Sequence, residues 1–335
     1  MTKSFAAGLT IGLILSLVII AIYPSSSDYN LQNPYWNGMS DLRQFIHPVQ
    51  INNIANLTSV YAAQSASNFA LLVLGPTLPY SQVEIASISN FVSKGGLLVI
   101  ADDFGAGNQL LQGLGINVRF SGVLLLDPLY NVKAQQLPLI TDVNVTGIKN
   151  IAFNYATYLN LTSPQRYPVT FIAYSSPFSF GDMKQTASYL QGDPLGPLPV
   201  VASVSYGSGS VIIISDSSLF LNSMISYADN YQFLKDVVAN RQAVIDTSHW
   251  LYSYQSEASM ILLSSYYFIQ NSGLKYGIAA LLMLLIYIFN FRFTSKSEDR
   301  DIHKLLMNHP DWDKNELKKL YEQRKSVYSK KNNTS

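Results

Sequence analysis

The chain has 335 residues and no cysteine, with 22 basic against 21 acidic side chains. Only 13% of its residues are charged, about half the usual ~25% of soluble domains, while 48% are hydrophobic. That length supports one or two cored domains. The composition excludes a disordered chain, a nucleic-acid binder working through a basic surface, disulfide staples, thiol catalysis and thiolate zinc sites.

Residues 1–4 are read as a cytoplasmic N-terminus, followed by residues 5–23, an uncharged and mostly apolar run. At ~1.5 Å per residue such a run reaches ~28 Å as a helix, close to the hydrocarbon thickness of a bilayer. It is read as a retained first transmembrane helix. The rival is a cleaved signal peptide, disfavoured because the run is long and its Ala21-Ile22-Tyr23 exit ends on a large residue.

Residues 24–257 come next as an extracytoplasmic α/β domain. Its run at 69–75 (FALLVLG) has the apolar continuity of a buried strand and stops at Gly75-Pro76. Ser81-Gln82-Val83-Glu84 is a capping box, opening a helix with Val83, Ile88, Phe91 and Val92 available for packing. Lys94 suits that helix's last turn and Gly95-Gly96 its left-handed exit, and 97–101 (LLVIA) is the next strand. Strand, helix, strand at this spacing is a βαβ unit and predicts a parallel sheet.

Residues 117–166 carry mixed strand and turn signals, an insertion or sheet extension. The α/β rhythm resumes at 169–174. The runs 200–206 and 211–215, joined by Gly207-Ser208-Gly209, predict a hairpin. Asp229 is expected to cap a helix bearing Phe233, Leu234, Val237 and Val238, and 243–246 gives a last strand. Asn56, Asn144 and Asn160 sit in glycosylation sequons, at a frequency composition alone explains.

Residues 258–272 are read as an interfacial or docking helix, and 273–292 as a second transmembrane helix flanked by Lys275 and Arg292. Tyr252, Tyr254, Tyr266 and Tyr267 beside it suit a membrane interface. Residues 293–335 are a net basic tail, whereas the central section is net acidic. Charge bias then predicts a two-pass protein of the cell membrane, both termini cytoplasmic and the main domain outside. In the tail, Leu317, Leu320, Tyr321, Val327 and Tyr328 have helical spacing, on a solvated helix or one that docks a partner.

Several of these segments, in order, resemble a known family. They are Asn37-Gly38-Met39-Ser40 before the first helix and FVSKGGLLVIADD over 91–103. Leu137-Pro138-Leu139-Ile140-Thr141 with Gly147 comes next, then YGSGSVIIISDSSLFLN over 206–222. Asp229-Asn230 and Val244-Ile245-Asp246 leading to His249 complete the set. The set resembles the membrane-anchored domains of unknown function 4350, relatives of the class I glutamine amidotransferase-like α/β fold. The resemblance spans about residues 28–292. It implies a Rossmann-like, amidotransferase-like, mostly parallel sheet with flanking helices, to which the apolar runs at 5–23 and 273–292 add two transmembrane helices. Active glutamine amidotransferases use a cysteine nucleophile with a histidine, and this chain has no cysteine.

Candidate sites are few. Asp102 and Asp103 stand at the carboxyl end of a predicted parallel strand, where open α/β sheets bind ligands. Gly105 and Gly107 invite a phosphate-loop reading, but Leu110 occupies the third glycine's place. A strand-end Asp capping the next turn is the simpler account, with a polar-ligand pocket as the sharper one. Asp216 likewise ends a strand, with Ser217 and Ser218 as caps, and Asn222, Asp229 and Asn230 are possible polar neighbours. The ligand-pocket candidates are therefore Asp102, Asp103, Asp216 and Asn222. Asp246 and His249 have the carboxylate–imidazole chemistry of a general base, though such a spacing is more often a local structural bond. No Gly-x-Ser-x-Gly elbow precedes a helix, since Gly207-Ser208-Gly209-Ser210 lies between strands. With His47 and His249 the domain's only histidines, no multi-histidine metal site is expected, and no cofactor.

The expectation is a non-enzymatic, membrane-tethered binding or scaffold subunit coupling to a partner complex. The bilayer and a protein partner reached through the tail or the external domain are its partners, and nucleic acid is not. The alternative is a divergent hydrolase using Asp102, Asp103, Asp246 and His249, or a ligand-sensing or transport accessory domain using the strand-end Asp pocket.

Overall fold

The computed structural model describes residues 28–162, 166–251 and 302–332, with isolated positions elsewhere. The chain divides into two compact units, Met1–Leu263 and Ser264–Ser335.

The first unit is built on α1 (Ser40–Ile46), β1 (Val49–Ile51), β2 (Phe69–Leu74), α2 (Gln82–Ser93), β3 (Leu97–Ala101) and α3 (Gly107–Gly113). It continues with β4 (Asp142–Val143), β5 (Val169–Tyr174), β6 (Pro199–Tyr206), β7 (Gly209–Ile214), α4 (Asn230–Val238) and β8 (Gln242–Asp246). These strands form one eight-stranded sheet in the order β1-β8-β2-β3-β7-β6-β5-β4. Neighbours from β1 to β7 are parallel, and β7, β6, β5 and β4 pair antiparallel. The sheet is therefore mixed, a parallel half extended by an antiparallel edge. Three further antiparallel pairs, Val118–Phe120 with Leu159–Leu161, Leu124–Leu126 with Phe180–Asp182, and Leu139–Ile140 with Ile151–Ala152, account for the irregular patterning of the expected insertion.

Every residue of β2 and β3 is buried. Successive side chains of a strand point to opposite faces, so these strands feed two cores. Ala70, Leu72, Leu74, Val99 and Ala101 join one, against Phe233 and Leu234 of α4. Leu71, Val73, Leu98 and Ile100 join the other, against Ile85, Ile88, Phe91 and Val92 of α2. Such two-sided burial turns a strand's sequence into a continuous apolar run, which is why these two were legible.

Helix α2 begins on the expected reciprocal capping box between Ser81 and Glu84 and ends through Gly95, whose φ of +102° is open chiefly to glycine. Its buried face differs from expectation by one residue: Ile85 packs inward and Val83 is exposed. Residue 83 lies in the first turn, outside the i, i+3, i+4 stripe set by Ile85, Ile88 and Val92. In α4, Asp229 occupies the N-cap position without a side-chain cap bond. Its carboxylate instead accepts the Lys149 and Asn150 backbone N–H groups at 2.8 and 3.1 Å, tying down the loop before Ile151.

The expected transmembrane architecture is not upheld. Among the described residues no helix is long and apolar enough to cross a membrane, which corrects the expected two transmembrane helices and the two-pass cell-membrane placement. The longest helix described, α5 (Lys314–Asn332), is rich in lysine and arginine, which a hydrocarbon core would have to desolvate at a cost of several kcal/mol. The membrane reading rested on the hydropathy of 5–23 and 273–292. Those runs, the helix expected over 258–272 and the tyrosines around it lie almost wholly outside the described residues.

In the second unit, the Asp313 carboxylate caps α5 by accepting the Asn315 N–H at 2.7 Å. Ile302 and Leu317 are buried there, Leu320 is exposed, and the His309 and Trp312 rings stack at 4.3 Å.

Because Leu72 is fully buried in the central pair of strands, Leu72→Ala is expected to cost about 2–5 kcal/mol. A fall in the urea midpoint of that order, at unchanged m-value, checks it.

Candidate functional site

Four adjacent parallel strands, β8, β2, β3 and β7, end on the same edge of the sheet. Each of them runs out into a polar segment: Asp246 to His249, Gly75 to Thr77, Asp102-Asp103, and Ser215-Asp216-Ser217. The sheet thereby brings Asp102, Asp103, Asp216, Asp246 and His249 onto one edge, the side where open α/β sheets place ligands.

At the β8 end, Asp246 is the hub. Its Oδ2 lies 2.6 Å from His249 Nδ1 and accepts the Tyr80 hydroxyl at 2.8 Å. Its Oδ1 accepts the Ser248 N–H at 2.9 Å and the Ser248 hydroxyl at 2.6 Å. Burial opposes the Asp246 charge, but the bonds from His249, Ser248 and Tyr80 outweigh it and hold its carboxyl below the usual range. The Tyr80 ring stacks on the imidazole at 3.6 Å, and burial beside Asp246 pushes its phenol well up. His249 Nε2 faces Glu84 Oε2 at 3.7 Å. Burial opposes that glutamate's charge as well, yet the Ser81 bonds and His249 leave it lowered. The His249 carbonyl accepts the Thr77 and Leu78 N–H groups at 2.8 and 3.1 Å, and the Trp250 indole N–H donates to the Leu74 carbonyl at 2.6 Å. The imidazole thus joins the end of β8 to the loop after β2 and the first turn of α2.

This is the expected Asp246–His249 pair, but its surroundings are those of a clamp. A nucleophile activated by histidine must meet the ring nitrogen opposite the carboxylate. Here that nitrogen faces a carboxylate. The one hydroxyl hydrogen-bonded to the ring among the described residues, Ser248, sits 3.1 Å from Nδ1, on the wrong side, and is already bound to Asp246.

At the β3 and β7 ends the carboxylates are buried differently. Asp102 accepts the N–H groups of Asp103 at 2.8 Å, Gly105 at 3.0 Å and Gly107 at 2.7 Å. A Cβ at residue 107 would stand 2.6 Å from Asp102 Oδ2, so the glycine that suggested a phosphate loop is required by the Asp102 turn. Burial and the neighbouring Asp103 charge raise Asp102 to about 6, against the pull of those N–H groups. Burial also raises Asp103, whose Oδ1 accepts the Phe104 N–H at 2.9 Å and the Ser217 hydroxyl at 3.3 Å. The Ser217 and Tyr29 hydroxyls lie 2.6 Å apart. Asp216, fully buried, accepts the Ser218 and Asn154 N–H groups, each at 2.7 Å, and burial with the Asp103 charge raises it well above the ordinary value.

Asn222 does not join this edge cluster. Its amide donates to the Asn33 and Tyr35 carbonyls at 3.0 and 2.8 Å, and its oxygen accepts the Asp41 N–H at 3.0 Å. Asn230 is likewise structural, bonded to both backbone groups of Ala152 and to the Met224 carbonyl. Tyr29, Tyr80 and Ser248 were not anticipated: a lone tyrosine or serine carries no periodic signal, and only contact with Asp246 or Ser217 distinguishes these. Glu84 was visible in the sequence as a capping residue alone. Among the described residues no group of three or more His, Cys, Asp or Glu side chains could hold a metal ion.

Residues 32–238 match the family described as Domain of unknown function (DUF4350). No curated protein matches the chain. Of the solved structures, the mmIFT52 N-terminal domain aligns at 11% identity and a TM-score of 0.48, covering 65% of this chain and 96% of that one. A putative ThuA-like protein from Bacteroides uniformis aligns at 13% identity and a TM-score of 0.33, covering 55% and 72%. Gan42B, a GH42 β-galactosidase from G. stearothermophilus, aligns at 17% identity and a TM-score of 0.29, covering 53% and 23%. All three TM-scores lie below 0.5, and none of these likenesses bears on function.

The geometry sets two titrations of opposite sign. Asp246 is lowered on folding, so its contribution is present above the unfolded carboxylate value and is lost as pH falls through its folded value. Asp246→Asn is therefore expected to cost about 1–3 kcal/mol at neutral pH, a gap that closes in denaturant titrations only below the ordinary Asp range. Asp102 keeps its proton longer when folded, so its contribution is full below the unfolded value and lost as pH rises through about 6. Carboxyl carbon NMR should show Asp102 titrating near 6, and a midpoint at or below the ordinary Asp value would contradict the burial argument.

Proposed function

Given that the chain belongs to the DUF4350 family, whose description assigns no activity, we propose that it is a non-enzymatic binding or scaffold subunit that couples to a partner complex. Its main domain is read as a glutamine amidotransferase-like fold without that fold's nucleophile, since the chain has no cysteine. The observation that carries the reading is the enclosure of His249: Asp246 on one nitrogen, Glu84 facing the other, and Tyr80 over the ring. Among the described residues no hydroxyl is hydrogen-bonded to Nε2, the nitrogen a general base would use, and the groups around the ring join β8 to α2. The sheet then offers a rigid frame, with loops and the Lys314–Asn332 helix as the surfaces a protein partner could meet.

Purification of the full chain with its complexes intact is expected to return a stoichiometric protein partner that is lost when residues 295–335 are deleted. Ester and amide hydrolysis by the same material should not depend on His249. Hydrolysis abolished by His249→Gln at unchanged melting temperature would establish the hydrolase reading instead.

A further inference from the structure

Next to Asp216, on the carboxyl side of β7, lies a half-open pocket of about 270 Å³ bounded by Trp36, Lys133, Asn154, Ser223, Met224 and Tyr227. We propose that this pocket binds an acidic saccharide, a hydroxyl-bearing ring that carries a carboxylate.

Three features of its construction argue for a ligand. Trp36 is 66% exposed and turns its ring to the pocket rather than to the core. The backbone that displays it is nevertheless braced from several sides. Its own carbonyl accepts the Ser223 N–H at 3.0 Å, and the preceding Tyr35 carbonyl accepts both the Gly38 N–H at 3.0 Å and the Asn222 amide at 2.8 Å. The Asn33 amide donates to the Asn37 side chain at 3.1 Å, and that side chain donates to Asp28 at 2.7 Å. An exposed ring held on a fixed loop is a preorganised contact surface.

The opposite walls are fixed in the same way. The Asn154 backbone is pinned by Asp216 at 2.7 Å, and the next residue, Tyr155, donates its N–H to the Gln136 carbonyl at 2.9 Å. The Val132 N–H donates to the Leu137 carbonyl at 3.0 Å, closing the turn that carries Lys133.

The polar groups are left for a ligand. Among the described residues, the side chains of Asn154 and Ser223 and the Trp36 indole N–H make no hydrogen bond, and the Lys133 ammonium has no carboxylate partner. Lys133 lies over the Tyr227 ring at 5.6 Å, which holds the charge beside an aromatic face. An aromatic face takes the C–H side of a sugar ring, a carboxamide and a hydroxyl supply donors and acceptors for its hydroxyls, and one ammonium matches one carboxylate. A phosphate group calls for more than one cation or a nest of backbone N–H groups, and this pocket has a single lysine. The location also fits, since ligands of open α/β sheets gather outside the carboxyl ends of the strands.

The inference goes beyond the scaffold reading and does not need it: a saccharide site can stand or fall whether or not a protein partner is recovered. Calorimetric titration of the full chain with trimers of galacturonic and of glucuronic acid, with galactose and glucose trimers as neutral controls, tests it. At least one acidic trimer is expected to bind, and more tightly than its neutral counterpart. Trp36→Ala should weaken that binding at least about tenfold, as loss of an aromatic anchor does, at unchanged melting temperature because the ring is exposed. Lys133→Gln should erase the preference for the acidic sugar while the neutral one is unaffected. Absence of binding by both acidic trimers, equal binding of acidic and neutral sugars, or acidic binding that survives Trp36→Ala would each overturn the assignment.

Discussion

The constraint on which the rest of the structure depends is the burial of β2 and β3 on both faces. Every side chain of these strands is withdrawn from water, and at about 25 cal/mol per Å² of apolar surface their packing against α2 on one side and α4 on the other dominates the stabilisation of the first unit. Parallel pairing with β8 and β7 arises from the same core. It aligns four strand ends, so the loops after them must meet. The polar edge is a consequence of the apolar centre.

At that edge, low dielectric sorts the carboxylates by what surrounds them. Asp246 keeps its charge because an imidazole, two hydroxyls and a backbone N–H converge on it. Asp102, Asp103 and Asp216 are buried close enough that Asp103 disfavours the charge on each of the other two, and all three are held up by desolvation. One edge thus contains a fixed charge and a group of protonation-prone acids. The first is bound into a joint between strand and helix, and the second shapes the turns after β3 and β7. Both sets of groups make their hydrogen bonds to neighbouring backbone and side chains of the same edge.

The loop that displays Trp36 shows a different allocation. Asn33, Asn37 and Asn222 form a braced amide network around an exposed aromatic ring, while among the described residues the Asn154 and Ser223 side chains of the pocket beside it make no hydrogen bond.

Much of the fold was legible in the residues alone. The apolar runs at 69–75 and 97–101, the capping box at Ser81, the Gly95 exit and the hairpin around Gly207 all rest on local chemistry: burial on two faces, a cap, a left-handed φ. The strand-end acids Asp102, Asp216 and Asp246 were visible for the same reason, because an acid directly after an apolar run marks a strand's exit from the core. The membrane expectation rested on the hydropathy and flanking charge of 5–23 and 273–292, segments almost wholly outside the described residues, and no described helix is long and apolar enough to cross a membrane. The partners of those acids depend on strand order. Tyr29 meets Ser217, and Tyr80 meets Asp246, across separations of 188 and 166 residues. Asn222 looked like a neighbour of Asp216 and instead braces the loop before α1, since the intervening 3-10 turn Ser218–Phe220 carries it to another face. Sequence determined the buried strands, the helix ends and the absence of thiol chemistry, because those depend on each residue's own propensity and nearest neighbours. Only the tertiary structure decided which polar groups meet, because parallel pairing brings together residues whose separation along the chain carries no local signal.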